Sequence, residues 1–340
     1  MNARLRLAYV GMHPARRAQL VDRFGSADAV LASIRRGTVE VPEHARLAAT
    51  VSAGDRLEQL AEQGIAVVLR EEMPPHLAGL PDCPDLLFVR GVLPTRPGIA
   101  VVGSRRATAY GMRLANVYGR GLAEANWPVV SGLARGIDGS AHRGVVDAGG
   151  CAIAVLGCGP DVWYPKEHRA LGERVVETGG AIVTEYPPGT PPNGWRFPPR
   201  NRVISGLSAV VVVVEAARTG GALITARTAL MQGREIFAVP GDIDRLTSEG
   251  CNLLIRDGAL PVLDASDLIE AVSIVLGPSE RRASVAEGDE ILRIIGPIGR
   301  SVDALAEELG RSAARVLADV ARLETLGLVR RSGGLICGTR

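Results

Sequence analysis

The sequence predicts an α/β protein built on an open, doubly wound, mostly parallel sheet, with smaller modules on either side. Short, continuously apolar, β-branched runs recur between residues 98 and 240 and alternate with stretches of helical spacing. Runs without polar alternation belong to strands buried on both faces, the arrangement of a parallel sheet. These runs end in Gly, Ser, Pro or an acid, so the informative loops collect at the carboxyl edge, where such sheets bind ligands. At 340 residues the chain is also too long for one ordinary core, which implies two or three domains.

Composition narrows the function classes. Hydrophobic residues make up 46% and charged ones 22%, which excludes wholesale disorder. Lys+Arg number 39 against 37 Asp+Glu, so a basic surface must be local. Lys166 is the only lysine; the positive charge is otherwise arginine. Cys83, Cys151, Cys158, Cys251 and Cys337 form no CxxC pair, a pattern of small buried thiols rather than a zinc site or a disulfide framework. The most apolar stretch, 209–214, stops at Glu215, far short of the ~20 residues needed to span a bilayer. A cytoplasmic protein without membrane segments is expected.

From Leu5 to about Gln63, apolar residues fall at helical spacing (Leu20, Val21, Phe24; Val30, Leu31, Ile34; Leu57, Leu60), with breakers at Gly25, Gly37 and Gly54. That predicts a bundle of short helices over residues 1–63. Pro74, Pro75, Pro81 and Pro84 then predict an irregular crossing into a core domain over 64–276. Within it, strands are expected at 99–102, 128–130, 152–156, 181–184, 209–214 and 236–239, giving a Rossmann-like sheet. A polar, breaker-flanked linker is expected at 277–288. Residues 289–340 read as a winged helix: helices at 290–295, 302–309 (capped by Ser301) and 312–326, then a hairpin turning at Ser332-Gly333-Gly334.

Four loops stand out at the carboxyl edge. Gly103-Ser104-Arg105-Arg106 precedes a helix that Thr108 is placed to cap; amides at a helix start and two arginines suit an anion. Asn193 to Arg202 interleaves Arg196, Arg200 and Arg202 with Trp195 and Phe197, in a chain only 4% aromatic. Cations that take phosphates beside rings that stack on bases suit single-stranded nucleic acid, although either ring could instead anchor the loop on the core. Gly220 and Gly221 expose helix-start amides in the same way. Asp138 and His142, four apart on one helix face, read as a structural polar pair rather than an acid-base or metal pair. No G-x-x-x-x-G-K-[ST] occurs, which argues against a P-loop triphosphatase, and nothing suggests a metal or other cofactor.

Together these motifs resemble one family, DprA/Smf, the DNA-processing proteins of natural transformation. The resemblance rests on Val101-Val-Gly-Ser-Arg105, Ser131-Gly-Leu-Ala-Arg-Gly-Ile-Asp138 with Ala141-His142, Ala154-Val-Leu-Gly157 with Tyr164-Pro165, Phe197 to Arg202, Val214-Glu-Ala216, Leu223-Ile-Thr-Ala226 and Phe237-Ala-Val-Pro-Gly241. It implies a non-enzymatic homodimer that binds single-stranded DNA, protects incoming strands and helps load the recombinase RecA in the presence of SSB. It also implies a SAM-like N-terminal domain. Carried onto this chain, the DNA pocket would comprise Gly103, Ser104, Arg105, Arg106, Arg196, Phe197, Arg200, Asn201 and Arg202, with Phe197 as the stacking ring and Gly220 and Gly221 lining it. Thr219-Gly220-Gly221-Ala222 departs from the family's Ser-Gly-Ser, and the N-terminal hairpin motif is degraded to Val10-Gly-Met-His-Pro14.

Two competing readings are weaker. The sheet also resembles that of the lysine-decarboxylase-like nucleoside-monophosphate phosphoribohydrolases, whose Pro-Gly-Gly-x-Gly-Thr-x-x-Glu motif would place Arg227 where the glutamate should stand. A sequence-specific regulator would need base-reading Asn or Gln on the last helix, which carries Arg311, Arg315 and Arg322 nearby but also Asp319 and Glu324.

Overall fold

The computed structural model describes residues 2–277, 291–292, 294–295, 299–325, 329–332 and 334–338. Contacts divide the chain into residues 1–279 and 280–340. From residue 278 onward the expected linker lies outside the described residues, as do parts of the expected 290–295 helix and of the turn at Ser332-Gly333-Gly334.

The first unit opens with five short helices: α1 (Asn2–Ala8), α2 (Pro14–Phe24), α3 (Ala27–Arg35), α4 (Glu43–Ala48) and α5 (Ala53–Glu62). Leu7 joins Val30, Leu31 and Ile34 in their core, the last three being among the residues whose spacing predicts the bundle. Ser26 caps α3, its hydroxyl accepting from the Ala29 amide at 3.2 Å, and the left-handed Gly25 (φ 82°) ends α2.

A nine-stranded sheet follows. Its strands are β1 (Ile65–Leu69), β2 (Leu86–Gly91), β3 (Gly98–Val102), β4 (Val129–Ser131), β5 (Ala152–Val155), β6 (Ala181–Thr184), β7 (Ser208–Val213), β8 (Glu235–Ala238) and β9 (Leu260–Pro261), in the spatial order β1-β2-β6-β5-β4-β3-β7-β8-β9. The six strands read from the sequence are β3 to β8, and they are parallel to one another. Sequence reading missed three more. β1 and β2 pair antiparallel and extend the sheet through β6, and the short β9 joins parallel to β8. The segment read as an irregular crossing holds a single turn of helix, α6 (Pro75–Ala78), between β1 and β2.

Helices cover both faces. Along β3, Ile99 and Val101 turn toward Tyr118 and Leu122 of α7 (Ala109–Glu124), Ala141 and Val145 of α8 (Ile137–Asp147), Val175 of α9 (Arg169–Glu177), and Leu268 and Val272 of a later helix at Ala265–Leu276. Ala100 and Val102 turn the other way, toward Val203 and Ile204 of α10 (Phe197–Gly206), Ala226 of α11 (Gly221–Met231) and Cys251 of α12 (Glu249–Arg256). The period of two along one strand thus feeds two separate cores, which is why the strand interiors are apolar on both faces and polar residues such as Ser131, Thr184, Ser208 and Glu235 stand at strand ends. Chain order reverses between β3 and β7, which are neighbours although four strands apart in sequence. That switch point is where a crevice opens in such sheets.

The second unit packs Ile291, Ile295, Leu305, Val316, Val320, Leu323, Val329 and Ile336 around one core. The Ser301 hydroxyl caps helix Val302–Leu309 by accepting from the Ala304 amide at 3.2 Å, and Gly310 (φ 62°) turns the chain toward helix Ala313–Thr325. Strands Val329–Ser332 and Leu335–Gly338 pair antiparallel as the wing. Among the described residues no helix is long and apolar enough to cross a membrane.

Candidate nucleic-acid interface

A cleft of about 640 Å³ lies over the switch point, lined among others by Gly103 to Arg106, Asp138, Tyr164, Phe197, Arg200, Asn201 and Gly220 to Ala222. Its frame is set by Glu215, at the end of β7. The buried Glu215 carboxylate accepts from the Thr108 amide at 2.8 Å and from the Thr108 hydroxyl, while that hydroxyl caps α7 by accepting from the Gly111 amide at 3.1 Å. The Ser104 amide donates to the Glu215 carbonyl at 2.7 Å. These bonds fix the 103–106 loop between β3 and β7. Gly103 is required there because a Cβ would come within 2.5 Å of Ile137.

Arg105 and Arg106 project from this loop into solvent, and neither has an acidic partner among the described residues. The Arg105 guanidinium sits over the Phe197 ring, 4.6 Å from its centroid, and the Tyr164 ring lies 5.4 Å from Phe197, tilted 35° to it. A cation beside two partly exposed rings offers a phosphate contact next to a stacking surface. Across the cleft, α11 begins at Gly220-Gly221 without a side-chain cap, and an added Cβ at Gly221 would meet nothing within 4 Å. Its first-turn amides are therefore open to an anion.

Arg200 plays a different part. It is only 4% exposed and donates to the Gly132 carbonyl at 3.0 Å, to the Val155 carbonyl, and through Nε to the Asn201 side-chain oxygen at 3.2 Å. Gly132 leaves room for it: a Cβ there would lie within 2.7 Å of both the Arg200 guanidinium and the Asp138 carboxylate. Burial pulls the Arg200 guanidinium down to about 10, against the opposing charge of Asp138. Burial likewise pushes the Asp138 carboxyl up, with Arg200 pulling the other way. The Asp138 carboxylate accepts from the Gly132 amide at 3.1 Å. Both side chains line the cleft from below the surface and are bound to the ends of β4 and β5 through Gly132 and Val155.

Of the eleven residues that the sequence reading assigned to one pocket, nine line the cleft: Gly103, Ser104, Arg105, Arg106, Phe197, Arg200, Asn201, Gly220 and Gly221. Arg196 and Arg202 do not. Arg196 donates to the Pro191 carbonyl at 2.6 Å and lies between the rings of Tyr186 (5.4 Å) and Trp195 (4.7 Å). Arg202 holds both oxygens of the buried Glu185 at 2.7 Å and also donates to the Asp82 carbonyl. Charge spacing in the sequence could not separate these fates, because Arg196 precedes α10 as its cap while Arg200 and Arg202, two residues apart on it, fall on different sides. The two rings also divide: Phe197 faces the cleft, whereas Trp195 packs on His13 at 5.4 Å. Tyr164 was missed as a site residue; its signal was a tyrosine before Pro165 in the loop that follows β5.

His142 sits on α8, fully buried, with neither ring nitrogen bonded to another described residue. Burial, then His168 and Arg200, hold its pKa down to about 3. It does not line the cleft. Among the described residues no group of three or more His, Cys, Asp or Glu stands close enough to hold a metal ion.

Comparison with known proteins follows the same outline. The family model of the DNA recombination-mediator protein A matches residues 64–273, and that of the DprA winged helix domain matches residues 278–334. Protein Smf of Escherichia coli is 40% identical over 272 residues, covering 76% of this chain and 73% of its own. The crystal structure of DNA processing protein A from Streptococcus pneumoniae superposes with a TM-score of 0.65 at 32% identity, over 78% of this chain and 95% of the other. DNA processing protein A from Helicobacter pylori, whose structure describes a single-stranded DNA binding mode, superposes with a TM-score of 0.55 at 28% identity, over 61% of this chain and 95% of the other. The chain belongs to the DprA/Smf family of DNA-processing recombination mediators.

Proposed function

We propose that the cleft binds single-stranded DNA, and that the protein receives and protects such strands and helps load RecA onto them in the presence of SSB. The observation that carries this reading is the Arg105–Phe197 pair, 4.6 Å apart, facing the uncapped start of α11. Arg105, Arg106 and the Gly221 amide supply phosphate contacts, while Phe197 and Tyr164 supply a surface for an unpaired base. A duplex hides its base faces, so selectivity for single strands follows from the rings. The single-stranded DNA binding mode described for the Helicobacter pylori relative supports the same reading.

The enzyme reading finds less support. Asp138 is the only carboxylate lining the cleft, and it is engaged by the Gly132 amide, while Arg227 stands exposed on α11 outside the cleft. A homodimer is supported by apolar residues exposed toward the β8–β9 end of the sheet: Ile243 is 92% exposed, and Leu260 and Leu263 are also open to solvent. A dimer would give one strand two clefts to cross.

The test is fluorescence anisotropy of a labelled oligo-dT and of a duplex of equal length, titrated with the full chain. Tighter binding of the single strand, followed by faster RecA filament formation on SSB-coated DNA, is expected. Equal binding of both forms, or release of ribose 5-phosphate from nucleoside monophosphates, would refute the reading.

A further inference from the structure

The N-terminal helices lie outside the residues matched by the family model for the core, yet α2 and its cap touch the stretch that leads into Phe197, at Glu185 and at Trp195. His13 and Arg17 are four residues apart, at the cap and in the first turns of α2, and so share a face. The His13 ring packs on Trp195 at 5.4 Å, two residues before Phe197. Trp195 in turn meets Tyr186 edge-on at 6.3 Å, and Arg196 is stacked on both rings. Arg17, only 5% exposed, donates through Nη2 to Glu185 at 3.2 Å and lies 3.7 Å from Asp85. The other partner of Glu185 is Arg202, on the same helix as Phe197, one turn beyond it and two residues past Arg200.

From this juxtaposition we infer that Arg17, with His13, is a positioning residue for the cleft: the N-terminal bundle holds the start of α10 so that the Phe197 ring stays beneath Arg105. The inference rests on the reading of the cleft as a single-strand site. The bundle contributes no contact to DNA in this arrangement. Arg17 is turned inward onto carboxylates, and no residue of the bundle lines the cleft. Two carboxylates (Asp85, Glu185) face two guanidiniums (Arg17, Arg202), so removing Arg17 leaves Glu185 still bidentate with Arg202. Arg17→Met should therefore fold, with α10 less firmly seated.

The test measures oligo-dT affinity at several salt concentrations for the full-length wild type and for Arg17→Met, Arg17→Lys, His13→Ala and Arg105→Ala, each at a temperature where melting shows it fully folded. A base stacked on an aromatic ring is worth enough that misplacing Phe197 should weaken binding by about tenfold in Arg17→Met. His13→Ala should weaken it by about threefold, with part of the stacking lost. Arg17 neutralises no phosphate, so the dependence of affinity on salt should keep the wild-type slope, and Arg17→Lys should recover most of the affinity. A role in stability alone would lower the melting temperature and leave the affinity of the folded protein unchanged, which would overturn the inference. A shallower salt slope in Arg17→Met would also overturn it, since the bundle would then be touching DNA directly. Should Arg17→Met fail to fold, the exposed His13, which makes no ion pair, decides alone: wild-type affinity in His13→Ala rejects the inference. Failure of the cleft reading itself looks different, because Arg105→Ala would then bind as the wild type does.

Discussion

Arg200 was expected to grip DNA, but the structure makes it the support of the cleft floor, and the two roles separate on a melting curve. Replacing it with Met removes donors to two strand-end carbonyls and to Asn201, and takes the nearest cation from the buried Asp138. Leaving a buried acceptor unsatisfied costs roughly 1–3 kcal/mol each, and the buried Asp138 carboxyl loses the positive charge that opposes its burial. These terms overlap, and relief of the burial penalty on the guanidinium offsets part of them. A net loss of about 3–5 kcal/mol is expected, which at roughly 2 °C per kcal/mol for a unit of this size lowers Tm by about 6–10 °C. Arg200→Lys keeps the charge but reaches fewer of the three acceptors, so it should fall between. Thermal and urea unfolding of the three proteins at pH 7 provide the assay. An Arg200→Met protein that melts within 2 °C of the wild type would refute the assignment of Arg200 to the floor.

Other sites give equally definite expectations. His142→Leu should lose little stability at pH 7, since neither ring nitrogen has a partner among the described residues, and it should flatten the acid side of the stability profile. The sign follows from the folded pKa of about 3 against 6.5 unfolded: the unfolded chain takes up the proton first, so wild-type stability falls as pH drops below 6.5, by up to about 1.4 kcal/mol per unit. Urea denaturation at pH 7 and pH 5 measures it, and an unchanged difference between the two proteins would refute the buried neutral imidazole. Arg202→Ala should destabilise by roughly 3 kcal/mol, because Glu185 keeps only Arg17 at 3.2 Å, yet should leave the salt slope of oligonucleotide binding unchanged. Gly111→Ala should destabilise through the N-terminus of α7, since a Cβ would lie 2.4 Å from the Glu215 carboxyl; a lowered Tm is expected and an unaltered one counts against that frame.

The sheet was legible because its parallel strands are buried on both faces and so are written as unbroken apolar runs. The same rule explains what escaped. β1 and β2 carry equally apolar runs (Ile65-Ala-Val-Val-Leu69 and Leu86-Leu-Phe-Val89), but Pro74, Pro75, Pro81 and Pro84 between them drew attention to the crossing rather than to its flanks. β9 is two residues long and has no pattern to read. At the site, nine of the eleven residues that the sequence grouped do line one cleft, because strand ends at a switch point must converge. Which arginines reach solvent was not legible. Arg105 and Arg202 look alike in sequence; only the fold brings Glu185 to Arg202 and gives Arg105 no ion pair among the described residues.

The most direct test of the cleft as a single-strand site compares the salt dependence of oligo-dT binding between the wild type and an Arg105→Ala/Arg106→Ala variant. Each phosphate contact contributes about 0.7 to the slope of log K against log salt on single strands. The slope should therefore drop by roughly 1.4 in the variant, with Tm nearly unchanged because both side chains are exposed and neither forms an ion pair among the described residues. Identical slopes in the two proteins would contradict a phosphate-binding role for the 103–106 loop and, with it, the placement of DNA in this cleft.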